Sequence, residues 1–274
     1  PVSSLKYWIW LATRQGASPV RTLRVLEQFG SPERAYFADP GEYGLLADIP
    51  DKLRAALADK SLAEAERILG ECERLGLRVL TLQDAEYPER LRQIPDPPAV
   101  LYLRGRTFAF DEEAAIAVVG TRSCTPYGLR CAHRMGYELA RQGAVVVSGM
   151  AKGIDGAAMR GALQAGGFTA AVLGGGVDVV YPAENRRLYE DIAATGVLLS
   201  EYPPGTEPLP GHFPVRNRII SGVSLGVVAV ECGVRSGTMT TVRQALDQDR
   251  DVFAVPGNAD APMSEGPNRL IQQG

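Results

Sequence analysis

Beyond residue 113 the chain falls into short apolar runs separated by glycine-rich turns and by amphipathic stretches long enough for helices. Segments 114–119, 144–147, 169–173, 196–199, 225–230 and 252–255 are built mainly of Val, Ile, Leu and Ala and read as strands. Helices fit between them at 126–142, 155–165, 183–194, 215–221 and 237–248. Strands without a polar face are covered on both sides, so this half predicts a doubly wound α/β fold with a mainly parallel sheet.

Residues 1–80 follow a different grammar, that of short helices opened and closed by caps. Ser18-Pro19 starts a run ending at Gly30, and Ser31-Pro32 starts another before Asp39-Pro40. Ser or Thr at the N-cap, Pro in the first turn and Gly just past the end are the expected signals. Ser61 followed by Glu64 has the spacing of a capping box, for a helix running to Gly76. Between the two halves, Pro88, Pro95, Pro97 and Pro98 forbid a long helix within 81–110, where 100–103 alternates well enough for an edge strand. The predicted division is a helical domain over 1–80 and an α/β domain over 81–274. For the helical part, a packing or regulatory module is the plain reading and a grip on a DNA backbone the sharper one.

The chain has 274 residues, 45% hydrophobic and 22% charged, enough apolar material for a sizeable core and too much for disorder. No apolar run approaches the ~18 residues of a membrane span, and no basic-then-apolar export segment opens the chain. The first residue is Pro1 rather than Met, so a piece of a longer polypeptide is the expectation. Cys72, Cys124, Cys131 and Cys232 form no CxxC pair and there are two His, so neither a zinc site nor a disulfide framework is expected. The compartment reads as a reducing cytoplasm.

Net charge is −3, from 29 basic and 32 acidic residues. Residues 1–80 balance at 11 and 11, whereas residues 111–274 hold 14 basic and 17 acidic, with Lys152 the sole lysine among those 14. A polyanion bound here would have to be held by a few placed arginines and backbone amides, not by a carpet of lysine.

In a doubly wound sheet, ligands sit beyond the carboxyl ends of the strands. Clusters rich in glycine fall at that edge: Gly120-Thr121-Arg122, Ser148-Gly149-Met150-Ala151-Lys152-Gly153-Ile154-Asp155, Gly174-Gly175-Gly176-Val177-Asp178 and Ser236-Gly237-Thr238. Glycine lets amides approach an anion and helix starts add partial positive charge, although tight turns need glycine as well. Several such loops on one edge predict an anion or phosphate pocket. GxGxxG is not completed, because position 179 is Val, and the Walker pattern is absent, so no dinucleotide cofactor is expected.

The segment Phe213-Pro214-Val215-Arg216-Asn217-Arg218-Ile219-Ile220-Ser221-Gly222 carries the most information. Two arginines in a first helical turn oppose the helix dipole at a cost of about 0.3–1 kcal/mol per exposed charge. An external anion explains them; pairing with Glu201 or Glu231 is the alternative. Arg122 has the same ambiguity. Lys152 is a compact cation in a glycine-rich turn. Phe213 could stack on a nucleobase or simply pack. Asp155 and Asp178 read as helix caps in preference to Mg²⁺ ligands, His133 as a satisfied mid-helix residue, and His212 as a loop residue near the pocket. Arg130, Arg134 and Arg141 form a solvated stripe. No catalytic constellation emerges.

Together these segments resemble one family, the DNA-processing protein A family (DprA, also called Smf). The resemblance rests on Val119-Gly-Thr-Arg122, the 148–155 loop, Leu173-Gly-Gly-Gly-Val-Asp178 with Tyr181-Pro182, and Ser200-Glu-Tyr-Pro-Pro-Gly205. It continues through 213–222, Ser236-Gly-Thr238 and Val252-Phe-Ala-Val-Pro-Gly257, covering roughly 81–274. It departs at Ser236-Gly-Thr-Met-Thr-Thr241, where the family more often has a second serine and aliphatic residues.

The resemblance implies a Rossmann-like domain behind a SAM-like helical one, with a winged-helix domain beginning where this chain stops. It implies a non-enzymatic role: binding and protecting incoming single-stranded DNA in natural transformation and loading a RecA-type recombinase. Homodimers and a single-strand-binding protein belong to the same expectation. By similarity, the phosphates meet Arg122, Ser148, Gly149, Lys152, Arg216, Asn217, Arg218 and Gly237, and Phe213 meets a base. The rival is a nucleotide-processing enzyme of the lysine-decarboxylase-like (LOG) group, but its catalytic acid after Gly-Thr is replaced here by Thr241. A pure protein-binding scaffold leaves cations at a helix start unexplained.

Overall fold

A computed structural model of the chain describes residues 2–106 and 108–274; Pro1 and Thr107 lie outside the described residues. The helical segment holds α1 (Val2–Ala12), α2 (Pro19–Phe29), α3 (Pro32–Phe37), a 3-10 turn at Pro40–Leu45, α4 (Asp51–Ala58) and α5 (Ala63–Leu75). Ser18 and Ser31 cap α2 and α3 as their spacing predicts, each accepting from the amide three residues on. The box expected at Ser61 does not form. Leu62 takes the N-cap of α5, and Ser61 Oγ accepts from Ala63 N at 3.4 Å, because the serine sits one residue too early. The reciprocal box instead joins Asp39 and Glu42.

The sheet comprises β1 (Arg78–Thr81), β2 (Val100–Gly105), β3 (Ala115–Val119), β4 (Val145–Ser148), β5 (Thr169–Val172), β6 (Val197–Ser200), β7 (Gly226–Ala229) and β8 (Asp251–Ala254). Its order is β1-β2-β6-β5-β4-β3-β7-β8. The six strands from β6 to β8 are parallel, and β2 runs antiparallel to both β1 and β6. The expected doubly wound, mainly parallel α/β sheet is the one observed. The 100–103 segment was expected at an edge; it lies inside the sheet because β1, a four-residue strand with no clear alternation, pairs outside it.

Helices α6 (Glu89–Arg92), α7 (Pro126–Arg141), α8 (Ile154–Gln164), α9 (Arg186–Thr195), α10 (His212–Gly222), α11 (Gly237–Asp247) and α12 (Glu265–Gln273), with 3-10 turns at Ala183–Asn185 and Pro262–Ser264, complete the described elements. Alternate residues of each buried strand feed two cores. Ala117, Val119, Val145 and Val147 meet Ile219, Ile220 and Val223 of α10 and Ala245 of α11. Val118, Val146 and Val228 meet Ala132 of α7 and Ala158 of α8. A third cluster joins Trp8, Ile9, Trp10 and Leu11 of α1 to Tyr102, Leu188, Tyr189 and Leu198. The helical segment therefore packs on the α/β part through shared apolar surface, which fixes its position against α9 and β2.

Candidate nucleic-acid interface

From β3 the chain steps through β4, β5 and β6 on one side, then crosses back to β7 and β8 on the other. The crevice at the carboxyl ends of β3 and β7 is the switch point where such folds bind ligands. Two adjoining hollows occupy this rim. One, of about 200 Å³, is lined by Arg122, Gly149, Lys152, Gly174, Tyr181 and Phe213 with Arg216 behind. The other, of about 380 Å³, lies over Gly120, Asp155, Asn217, Gly237 and Thr238. Arg122, Phe213 and Arg216 form the wall between them.

That wall is built from stacked cations. The Phe213 ring centroid lies 4.9 Å from the Arg122 guanidinium and 5.6 Å from that of Arg216, with the Tyr181 ring 5.5 Å away. A ring face attracts each cation by an amount on the order of 1 kcal/mol. Arg122 is exposed, and its guanidinium makes no hydrogen bond or ion pair among the described residues. It remains available to an anion.

Arg216 is only 4% exposed. Its Nη1 donates to Gly149 O at 3.0 Å and Val172 O at 2.5 Å, and its Nε to Asn217 Oδ1 at 3.1 Å. Burial pushes it down to about 10, against the opposing pull of Asp155. Burial in turn raises the Asp155 carboxyl, while Arg216 and the amides of Ala151 and Gly149 favour its charged form. The carboxylate accepts from Gly149 N at 3.2 Å and Ala151 N at 3.4 Å. Arg216 and Asp155 thus hold the 149–151 turn from its carbonyl and amide sides respectively. Gly153 completes the turn at φ +78°, where a Cβ would stand 2.4 Å from Thr121 O. Lys152 is carried at the exposed tip of this loop and pairs with Glu184. The lysine's hydrogen bond holds the Glu184 carboxyl below its usual range.

Two expected contacts are corrected. Arg218 is 2% exposed and lines neither hollow. It forms a fork to Glu201 at 2.6 and 2.7 Å and reaches Asp96 at 3.2 Å, the internal pairing that was the alternative for this segment. Burial opposes its charge, but these carboxylates hold its proton more tightly than usual. Residues two apart on a helix face away from each other, so Arg216 and Arg218 cannot share a wall. Ser148 is fully buried and its Oγ donates to Val118 O at 2.7 Å, tying β4 to β3 instead of facing the rim.

The remaining positions are distributed between the hollows. Gly149 lines the smaller one, but its amide is already given to Asp155, so it contributes space and not a donor. Asn217 is half-buried and its Nδ2 reaches Gly237 O at 3.5 Å, joining α10 to α11. Gly237 opens α11. His212 packs the loop: its ring stacks on Tyr202 at 4.1 Å and its Nδ1 lies 2.9 Å from Gly174 O. Asp178 accepts from Gly205 N at 2.9 Å and, like Asp155, serves the backbone.

Tyr181 and Thr238 line this rim; both fall inside the sequence motifs without an assigned contact, and Glu184, which pairs with Lys152, was not named there. Tyr181-Pro182 directly after the glycine-rich 174–178 turn was the available signal for the first. Glu184 is brought to Lys152 from another loop, which spacing does not reveal. Among the described residues no group of three or more His, Cys, Asp or Glu is arranged to hold a metal ion, and no helix is long and apolar enough to cross a membrane.

Comparison with known proteins identifies the family and the fold. Residues 78–274 match the family described as DNA recombination-mediator protein A. The DNA processing protein DprA of Bacillus subtilis is 41% identical over 228 residues, which is 82% of this chain and 77% of the relative. Protein Smf of Synechocystis is 37% identical, over 99% of this chain and 69% of the relative. The X-ray structure of DprA from Streptococcus pneumoniae superposes with a TM-score of 0.86 at 35% identity, covering 98% of this chain and 93% of that one. DprA from Helicobacter pylori, whose structure was described for its single-stranded DNA binding mode, gives 0.65 at 33% identity over 72% and 88%. The chain belongs to the DNA recombination-mediator protein A family, that of the DprA and Smf proteins.

Proposed function

We propose that this chain binds single-stranded DNA on the rim formed by Arg122, Lys152, Phe213 and Arg216, and acts as a recombination mediator that delivers the strand to a RecA-type recombinase. The observation that carries the reading is the convergence of those three cations and one ring around a single hollow, in a protein of net charge −3. The single-stranded DNA binding described for the Helicobacter pylori relative supports it. Arg122 and Lys152 contact phosphates, Phe213 meets a base, and Arg216 with Gly149 shapes the surface. Asn217 and Gly237 extend the rim toward α11. The role is non-enzymatic, performed in the cytoplasm during natural transformation, with a single-strand-binding protein as a further partner. The LOG-type hydrolase reading is disfavoured because Thr241, where an acid would stand, spends its hydroxyl on Gly237 O at 3.3 Å.

Each phosphate neutralised contributes a salt slope of about −0.7 on a single strand, so a few contacts give modest affinity. A homodimer bridging one strand supplies the rest, and affinity then drops for oligonucleotides too short to span two protomers. The direct test is fluorescence anisotropy with labelled oligo-dT. Arg122→Ala and Lys152→Ala should each weaken binding about tenfold, equivalent to ~1.4 kcal/mol. Unchanged affinity in folded variants would reject the assignment.

A further inference from the structure

We infer that His212 is a positioning residue: its imidazole fastens the first turn of α10 to the glycine-rich turn after β5 and so holds the Phe213 ring in the attitude that meets a base. The inference rests on the strand reading above and goes beyond it, because that reading gives His212 no part in binding.

Phe213 lies directly on Gly174. A Cβ on that glycine would stand 2.9 Å from Phe213 Cδ1 and 3.0 Å from Cε1. The height and tilt of the ring are therefore set by how the start of α10 sits on the 174–176 turn. That helix start has no side-chain cap, because its N-cap is Gly211. First turns fray unless something outside the helix holds them. Arg122 makes no hydrogen bond or ion pair among the described residues and cannot do so. Arg216 is anchored, but one turn further along the helix.

His212 supplies the tie. Its Nδ1 lies 2.9 Å from Gly174 O, and a carbonyl only accepts, so this nitrogen carries the proton. The Leu209 amide, 3.5 Å from the same nitrogen, then gains no bond from it. The imidazole lies flat on the Tyr202 ring, with centroids 4.1 Å apart and planes within 17°. Tyr202 N donates to Ser200 Oγ at 3.0 Å, and that hydroxyl donates to Leu173 O at 3.3 Å. The loop after β6 thereby grips the residue just before Gly174, and Gly176 N adds a bond to Thr206 O at 2.9 Å. Three segments meet at one imidazole: the loop after β6, the turn after β5 and the start of α10. An apolar residue stacked on Tyr202 would serve packing alone; the donor aimed at Gly174 O is what histidine adds. A ring held still before the base arrives avoids the affinity lost in ordering a loose side chain on binding.

The test compares oligo-dT with an abasic strand of the same length, which keeps every phosphate and removes every base. Wild type should bind oligo-dT at least about fivefold tighter, the low end for one stacked base. His212→Ala should bring that ratio below about twofold while binding the abasic strand within about twofold of wild type. His212→Asn, whose amide nitrogen stands as far from Cβ as Nδ1 does, should restore the ratio. His212→Phe keeps the bulk and the stack on Tyr202 without the donor, and should lose the ratio; these two variants decide the matter if the alanine chain does not fold. An unchanged ratio in His212→Ala or His212→Phe, or an equal loss on both strands, overturns the inference and leaves the strand reading intact. Wild type that binds both strands alike also overturns it while its phosphate contacts stand, whereas wild type that binds neither overturns both.

Discussion

Gly149 and Arg216 are fitted to one another. Arg216 Nη1 donates to Gly149 O at 3.0 Å, and a Cβ on Gly149 would stand 2.7 Å from Arg216 Nη2. The glycine at the end of β4 therefore makes room for the guanidinium of α10. That guanidinium holds the turn carrying Lys152, and it backs the ring on which Arg122 rests. One side chain thus couples the loop after β4 to the wall of the interface.

Gly149→Ala should push the Arg216 head aside and loosen the 149–153 turn. Overpacking of this kind costs about 1–3 kcal/mol. Chemical denaturation should record that loss, and anisotropy should show weaker oligo-dT binding although no charge has been removed.

Arg218→Ala should behave in the opposite way. It strands Glu201, a largely buried carboxylate, and should cost roughly 3–5 kcal/mol of stability. Because Arg218 faces away from the rim, the folded fraction should bind oligo-dT as wild type does. A specific loss of affinity at full stability would return Arg218 to the interface.

Glu184→Gln should release Lys152 from its exposed pair and raise oligo-dT affinity severalfold, since the carboxylate competes with phosphate for the same ammonium. The glutamate's proton affinity is lowered by Lys152, so the pair is intact above the ordinary carboxylate range and parts only as pH falls below it. Binding measured between pH 6 and 8 should accordingly show the full effect of the substitution. Lower affinity in the variant would contradict it.

Asp155 predicts a slope in stability against pH. Its carboxyl is raised above the ordinary value of 3.8 by burial, so the folded state holds the proton more tightly than the unfolded chain does. Its contribution therefore falls as pH rises from near 3.8 toward the folded value, and is constant on either side. Asp155→Asn should remove this segment from the denaturation profile and lower stability above it, where Arg216 loses a facing charge. A profile parallel to wild type would show that Asp155 titrates normally.

The alternation of apolar runs with helices, the two-faced burial of the strands and the gathering of glycine-rich turns at one edge were all readable in the chain, because each depends on local periodicity. Arg122, Lys152 and Phe213 could be chosen for the same reason: they follow strand ends or begin a helix, where such folds expose their loops. The partition of Phe213–Gly222 was not readable. Helical geometry requires Arg216 and Arg218 to point apart, but which of them meets the rim depends on how α10 lies against β5, and on Glu201 and Asp96 arriving from distant segments. Ser148 was hidden for a related reason, since only the neighbouring β3 strand shows where its hydroxyl goes. The pairing of β1 with β2 depends likewise on contact across the sheet, because four residues with little alternation carry no strand signal alone. Periodicity sets which residues can share a face; only packing decides what that face meets.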